Sequence, residues 1–600
     1  MTDPKDRLSV PGVFGYAAWF ALSAGILEAA LLLAHRRLIH GFIFLSPHLV
    51  WMAPLSNLLW FSILSAVMVL IGVVVPAVRS TRAIIAGCLF LAALSILLLP
   101  SQLHPVAACV LAAGVAFQGS RMLAARAMWV DRLIRRTMPA LAAVVLLVAS
   151  VTISLDAVRE RKASGALGAS RQGAPNIIFI VLDTVRRASL SMYGYPRPTS
   201  PAMERWAGRG VRFEHAMATA SWTLPSHASM FTGKFPSQMS AGWLTPLDTR
   251  DPVLAERLRD SGYLTAGFVA NLLYCNRSFG LARGFVHYED YRISPGEFLI
   301  NSSIGRALSE NRLLRRISGW YDIAGRKPGE EITSRFLDWQ SHQADRPYFA
   351  FLNYFDAHQP YFPPAELANQ FGPTAGRNYD LLELRPYMGK IDDPAEHLTP
   401  AQVQAEQNAY DATLAYLDRE MDRLLTALEK QGTLGNTIVV ITADHGEQFG
   451  EHGLFDHGNS LYRFATEVPL MILGPGVPAG YSVDQPVSLR DLPATILEMA
   501  GTGATTLPGQ SFHRLWNIDT ETTPGPVISE TSGPSPKRRF QSTVSGGFHA
   551  IWSADSVELY DFAKDPAETA NLAHTPAGRL HIGQLRATLD SALGVTGVPR

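Results

Sequence analysis

Cysteine is nearly absent from this chain, with three residues in 600. Cys88 and Cys109 sit in apolar runs and Cys275 is alone in the rest, so no disulfide framework is available. That scarcity leaves an extracytoplasmic location open. Net charge is missing as well: 52 basic residues balance 52 acidic ones. A neutral chain gives no reason to expect a nucleic-acid partner. Nor is the chain short enough for a single core, so at least two units are expected.

Apolar sequence, by contrast, is concentrated at one end. Five apolar segments, near 13–34, 50–76, 83–99, 105–119 and 138–155, are broken by short Arg-bearing loops. Crossing the hydrocarbon takes about 20 residues of helix, which makes the third and fourth segments marginal. Residues 1–155 therefore read as a membrane domain of about five transmembrane helices. With the N-terminus in the cytoplasm, Lys5, Arg7, Arg79, Arg82, Arg121, Arg126, Arg132, Arg135 and Arg136 lie inside and only Arg36 and Arg37 outside. That asymmetry follows the positive-inside rule and puts everything after the fifth span outside the cytoplasm. A cleaved signal peptide explains the first segment less well, because further spans follow it and no clear small-residue cleavage site precedes them. Glu28, in the first span, reads as hydrogen-bonded to a neighbour inside the bundle in preference to a functional acid. Trp19, Trp51 and Trp60 read as interface anchors or packing. Residues 156–174 lack apolar periodicity and read as a linker.

Beyond the linker, β-branched runs alternate with helical patterns, the mark of an α/β sheet. Strands are predicted at 176–182, 265–270, 347–353, 437–442 and 468–473, and helices at 199–209, 226–232, 251–260, 331–341 and 405–430. The fold class expected is an α-helical membrane domain plus an α/β catalytic domain over 175–515, with a small C-terminal antiparallel subdomain over 516–600. Residues 360–400, rich in Pro and polar groups, read equally as a lid or a surface loop.

Three stretches carry chemistry. Asn176–Leu182 is an apolar strand that delivers Asp183. Thr437–Thr442 is a second such strand and delivers Asp444 and His445. Between them, Thr223-Leu224-Pro225-Ser226-His227 fits a strand-to-helix turn that presents a hydroxyl. Asp183, Asp444, His445 and Thr223 could together surround one divalent cation. Zinc, manganese and calcium all suit this set, and a second metal is left open. An unassisted Thr hydroxyl is a poor nucleophile near neutral pH, and a cation favours its alkoxide. Helix N–H groups near Pro225 could face an anion. His227 divides evenly between a supporting role and direct substrate contact. His358 and His457 read as groups for substrate oxygens, the leaving group or a second metal. Lys234 is an anion contact or a solvated helix-end charge. Glu447 reads as orienting its neighbours, and Ser221 and Ser226 are alternative nucleophiles.

These motifs resemble the sulfatase branch of the alkaline-phosphatase superfamily. The resemblance covers most of 175–575 and includes Thr232-Gly233-Lys234-Phe235-Pro236, Asp356-Ala357-His358-Gln359-Pro360, Ala443-Asp444-His445-Gly446-Glu447 and Arg490-Asp491-Leu492-Pro493. It implies a sulfatase-like fold and the metal set Asp183, Thr223, Asp444 and His445. In layout and Thr nucleophile the chain also resembles lipoteichoic-acid synthases and phosphoethanolamine transferases. Departures are informative. Sulfatases carry Cys or Ser where this chain has Thr223, and oxidise it to formylglycine, an aldehyde that a secondary alcohol cannot give. No formylglycine is therefore expected. Arg commonly ends the same motif, where His227 stands, and His457 replaces a usual Lys. The resemblance thus implies phosphoester cleavage or phospho-substituent transfer on an envelope lipid or glycan, with Thr223, His227, His358 and His457 catalytic. Lys234, His358 and His457 would bind substrate. A sulfate-ester hydrolase and a catalytically silent binding protein are the alternatives. Oligomeric state is not legible.

Overall fold

A computed structural model describes residues 7–38, 46–100, 102–291, 293–318, 322, 325–343, 346–374, 399–503, 507–516, 525–533 and 539–594. The chain divides into two compact units, Met1–Lys162 with Tyr291–Trp320, and Ala163–Asp290 with Tyr321–Arg600.

The first unit contains α1 (Val10–Leu38), α2 (Leu49–Val74), α3 (Thr81–Leu97), α4 (Pro105–Ala124) and α5 (Ala127–Gly165). Four of them are long and apolar enough to cross a membrane, whereas α3 is apolar but only 17 residues long. α1 packs on α2 and α3, and α3 on α4. A Cβ on Gly25 would meet the Pro54 Cα at 2.4 Å, so only glycine permits this approach of α1 to α2. α5 runs on through Asp156–Gly165, across the first part of the stretch that reads as a linker. Its Ala-Val-Arg-Glu-Arg-Lys-Ala run has no Gly or Pro, and these residues propagate a helix without apolar periodicity.

Glu28 is fully buried in this unit. Its carboxylate accepts from Asn57 Nδ2 at 2.8 Å and from the Ser303 backbone N–H at 2.5 Å, with Arg306 at 3.7 Å. Ser303 opens the helix Ser303–Ser309, one of three short helices between Pro295 and Ser318. The adjoining Ser302 hydroxyl accepts from Ser56 at 2.8 Å and from the Trp60 indole at 3.2 Å. Buried polar groups need hydrogen-bond partners, and these neighbours supply them to the acid. Trp19 and Trp51 likewise bond within the unit, to Thr137 and His48.

The second unit is built on strands β1 (Asn176–Leu182), β2 (Val211–Met217), β3 (Leu264–Val269), β4 (His287–Glu289), β5 (Tyr348–Tyr354), β6 (Thr437–Thr442), β7 (Gln448–Phe449), β8 (Phe455–Asp456), β9 (Glu467–Leu473), β10 (Tyr481–Val483) and β11 (Val487–Ser488). Nine form one mixed sheet in the order β10-β2-β9-β6-β1-β5-β3-β4, with β11 also on β2, and β7 and β8 pair separately. β1 lies parallel to both β5 and β6. Covered on both faces, it reads as an unbroken apolar run, and Ile177–Leu182 are wholly buried. Phe179, Phe231 and Phe351 pack together beneath the carboxyl ends of these strands. The helix Pro400–Lys430 buries Leu414, Leu417, Met421, Leu424, Leu425 and Leu428, as its helical spacing predicts.

C-terminally, β12 (Val527–Ser532), β13 (Arg539–Ser545), β14 (Phe548–Trp552) and β15 (Val557–Asp561) form an antiparallel sheet in chain order, joined by the helix Pro576–Leu593. Of the 360–400 segment, residues 361–374 contain neither helix nor strand, and 375–398 lie outside the described residues.

Candidate active site

Register alone brings two acids together. Val181 of β1 is opposite Thr442 of β6, so Asp183 and Asp444, each two residues further on, leave adjacent parallel strands at the same edge. That is where open α/β sheets place ligands. Both carboxylates are fully buried. Asp183 accepts from Asn271 Nδ2 at 2.8 Å, and its other oxygen has no partner. Asp444 accepts the N–H groups of Thr184, at 3.2 Å, and His445, at 3.0 Å, while its Oδ2 has none. Thr184 reaches Asp444 through a left-handed backbone, φ 59°, an uncommon state for a β-branched residue that favours a functional reading.

Thr223 comes from a third element. Sequence placed the helix start near Pro225; the helix instead runs Thr223–Thr232, with Trp222 at the N-cap and Thr223 as its first helical residue. The Thr223 hydroxyl makes no cap. Its Oγ1 lies 3.2 Å from His445 Nε2. His445 Nδ1 faces the Gly446 carbonyl at 3.0 Å, which assigns the proton there and leaves the Nε2 lone pair to accept from Thr223 or to ligate a metal. One turn along, His227 directs Nδ1 to the Thr223 carbonyl at 2.9 Å and lies 3.5 Å from Asp444 Oδ2, with a buried Nε2 that has no partner. The helix stops at Gly233, φ 74°, where a Cβ would meet the Pro508 carbonyl at 1.9 Å.

Two unpartnered buried carboxylate oxygens beside an imidazole nitrogen form a poor set on their own. Burial pushes Asp183 well above the usual carboxyl range, and the Asp444 charge adds to it. Asp444 also suffers burial, but His445, His227 and the Thr184 N–H outweigh it and hold that acid low. Burial brings His445 down to about 4. Asp183, Asp444 and His445 offer ligand atoms within 4.8 Å of one another. A divalent cation would answer the two unpartnered carboxylate oxygens and the imidazole nitrogen, so the residues present fit one.

Comparison with known proteins decides the family. Residues 175–502 match the Sulfatase family. The chain belongs to the sulfatase family. It is 25% identical over 445 residues to a sulfatase of Formosa agariphila, covering 69% of this chain and 86% of that protein. A choline-sulfatase of Rhizobium meliloti is 25% identical over 453 residues, 70% of this chain and 86% of the relative. The phosphonate monoester hydrolase of Agrobacterium radiobacter superposes with a TM-score of 0.55 at 21% identity, over 70% of this chain and 96% of its own. The catalytic unit is a sulfatase-family hydrolase with the fold that its sequence resemblance implies.

Around this centre, this sulfatase-family enzyme gathers further groups. His457 stacks obliquely on His445, ring centroids 4.4 Å apart, and meets His358 edge-on at 5.1 Å. His457 Nδ1 faces Glu447 at 3.1 Å and Asp456 at 2.8 Å. Although burial opposes its charge, these two acids raise His457 well above the ordinary histidine range. His358 is driven to about 3, by burial first and then by the His457 charge. These contacts favour the proton on His457 over His358. Glu447 accepts from both His457 and Tyr361, at 3.1 and 2.9 Å. Lys234 Nζ is held by Asp251 at 2.5 Å.

Asn271 escaped sequence reasoning. It follows β3 and buttresses Asp183, while its own backbone N–H donates to the Asn353 side chain at 2.8 Å. A lone amide after a strand has no motif of its own. The usable signal is position, since β1, β3 and β6 each deliver a polar residue at the same sheet edge.

Proposed function

We propose that the chain is a membrane-anchored sulfatase-family enzyme that cleaves or transfers phosphoesters through Thr223, with its catalytic unit outside the cytoplasm. One observation supports the choice of nucleophile: Thr223 Oγ1 faces His445 Nε2 at 3.2 Å beside the two buried acids. Oxidation of a threonine side chain yields a ketone, so the hydrated-aldehyde route is closed and the hydroxyl itself must attack. A bound divalent cation, held by Asp183, Asp444, His445 and Thr223, would lower the hydroxyl's pKa and neutralise charge on the substrate. The Thr223 oxygen forms a bond to phosphorus as the ester oxygen leaves with a proton, giving phospho-threonine, which water or an acceptor alcohol then releases. His457, as a cation, neutralises non-bridging oxygens, and neutral His358 hydrogen-bonds substrate. Four long apolar helices support the anchor, and the loop arginines support the orientation. An envelope lipid or glycan fits an anchored site as substrate.

Sulfate-ester hydrolysis is the second reading, supported by the sulfatases among the relatives. Turnover of matched aryl sulfate, phosphate monoester and phosphodiester separates the two. Phosphoesters are expected to dominate, with a phosphate mass increment on the Thr223 peptide. Dominant sulfate turnover abolished by Thr223→Ala rejects the proposal.

A further inference from the structure

β5 ends at Tyr354, and the next residues, Phe355 to Tyr361, carry His358 on a loop with neither helix nor strand. Carbonyls that leave a sheet ladder need donors from elsewhere. In this loop three of them converge on one side chain. Arg326 donates to the carbonyls of Phe355 and Pro360, each at 2.7 Å, and to the carbonyl of His358 itself. The Arg326 side chain is only 7% exposed, pairs with Asp322 at 3.1 Å and lies over the Phe355 ring at 5.1 Å. His358 stacks on the same ring, centroids 4.3 Å apart. Three residues after Arg326, the Gly329 N–H donates to the Asp356 carboxylate at 3.1 Å, a second grip on the loop from the same segment.

The chemistry of the grip matters. A guanidinium offers five donors in one rigid plane and can serve several carbonyls at once, whereas an ammonium is a point charge without that geometry. Burying such a charge is costly, and here it fixes the backbone on both sides of one imidazole. That imidazole meets His457 edge-on and points Nδ1 at the Gln359 carbonyl, 2.8 Å away. The proton is thereby assigned to Nδ1, and Nε2 is left as the acceptor.

We propose that Arg326 is a positioning residue that acts through His358, fixing the place of its ring beside His457 and the direction of Nε2. This rests on the reading of His358 as a substrate contact given above. Misplacing such a contact by about 1 Å costs on the order of 10²-fold.

A double-mutant cycle in the full-length protein tests it, with whichever of the matched esters the wild type turns over best. Arg326→Met is expected to lower kcat/KM by about 10²-fold and to divide the loss between kcat and KM as His358→Ala does. In the His358→Ala background the same change should cost less than about twofold, because residues that act as a unit are not additive. If the two losses multiply instead, Arg326 serves loop stability alone and the proposal is overturned. Should Arg326→Met fail to fold, Arg326→Lys keeps the charge without the fork and carries the same cycle. Thr223→Ala separates the layers of the argument. If it is inactive while His358→Ala turns over normally, His358 touches no substrate and the proposal falls alone. If Thr223→Ala turns over normally and the cycle is still non-additive, the covalent route is wrong and the role of Arg326 stands.

Discussion

Thr223→Ala is expected to lower kcat by about 10⁴-fold or more, since loss of a covalent nucleophile costs on the order of 10⁶ in well-studied hydrolases. At about 1.36 kcal/mol per decade, this is at least about 5 kcal/mol of transition-state stabilisation. The fold should survive. Thr223 is the first helical residue, its hydroxyl caps nothing, and alanine is a better helix former there. Thermal unfolding should therefore be nearly unchanged while turnover of the best phosphoester collapses. Thr223→Ser keeps a hydroxyl and should retain measurable turnover. If Thr223→Ala costs only a few-fold, the hydroxyl is a helix-start polar group and the covalent route is wrong.

Removing the cation is expected to have an effect of similar size. Chelation should abolish turnover and a divalent cation should restore it. Groups that merely orient ligands are worth about 10- to 100-fold in metal affinity, so Asn271→Leu should fall in that range and Asp183→Asn beyond it. Protons give the sharper signature. Burial, reinforced by Asp444, keeps the Asp183 carboxyl protonated to an unusually high pH, and a cation must displace that proton. Affinity should weaken by about tenfold per unit of pH below the raised pKa of Asp183. Stability of the metal-free protein carries the matching sign. An acid whose folded pKa is raised stabilises the fold while protonated, and that contribution is lost as pH rises through the folded pKa. Asp183→Asn should thus raise the melting temperature of metal-free protein above that pKa and abolish stabilisation by added metal. Calorimetric titration across pH, with thermal melts, checks both. An affinity independent of pH would place the cation away from Asp183.

What sequence made legible was whatever local patterning controls. β1, β5, β6 and β9 are apolar runs buried on both faces, and each lies within a residue of its predicted span. β2 was missed. Val211-Arg-Phe-Glu-His-Ala-Met alternates at first, but a register shift between Phe213 and Ala216 breaks the period of two. The α5 extension was misread because charged, non-periodic sequence can still be helical. Metal-ligand candidates were legible because acids sit at the ends of predicted strands. Their amide supports, Asn271 and Asn353, were not, since those bonds depend on which strands become neighbours. The grouping of 291–320 with the apolar helices was hidden for the same reason: Glu28 and Ser303 are far apart in the chain and meet only in three dimensions.

Glu28 also inverts ordinary intuition about apolar helices. By hydropathy, leucine would suit position 28 better than any acid. Yet the side chain there answers an asparagine amide, an arginine and the opening N–H of a separate helix, and a hydrocarbon would strand all three. The one acid of α1 thus ties an asparagine, an arginine and a helix start together.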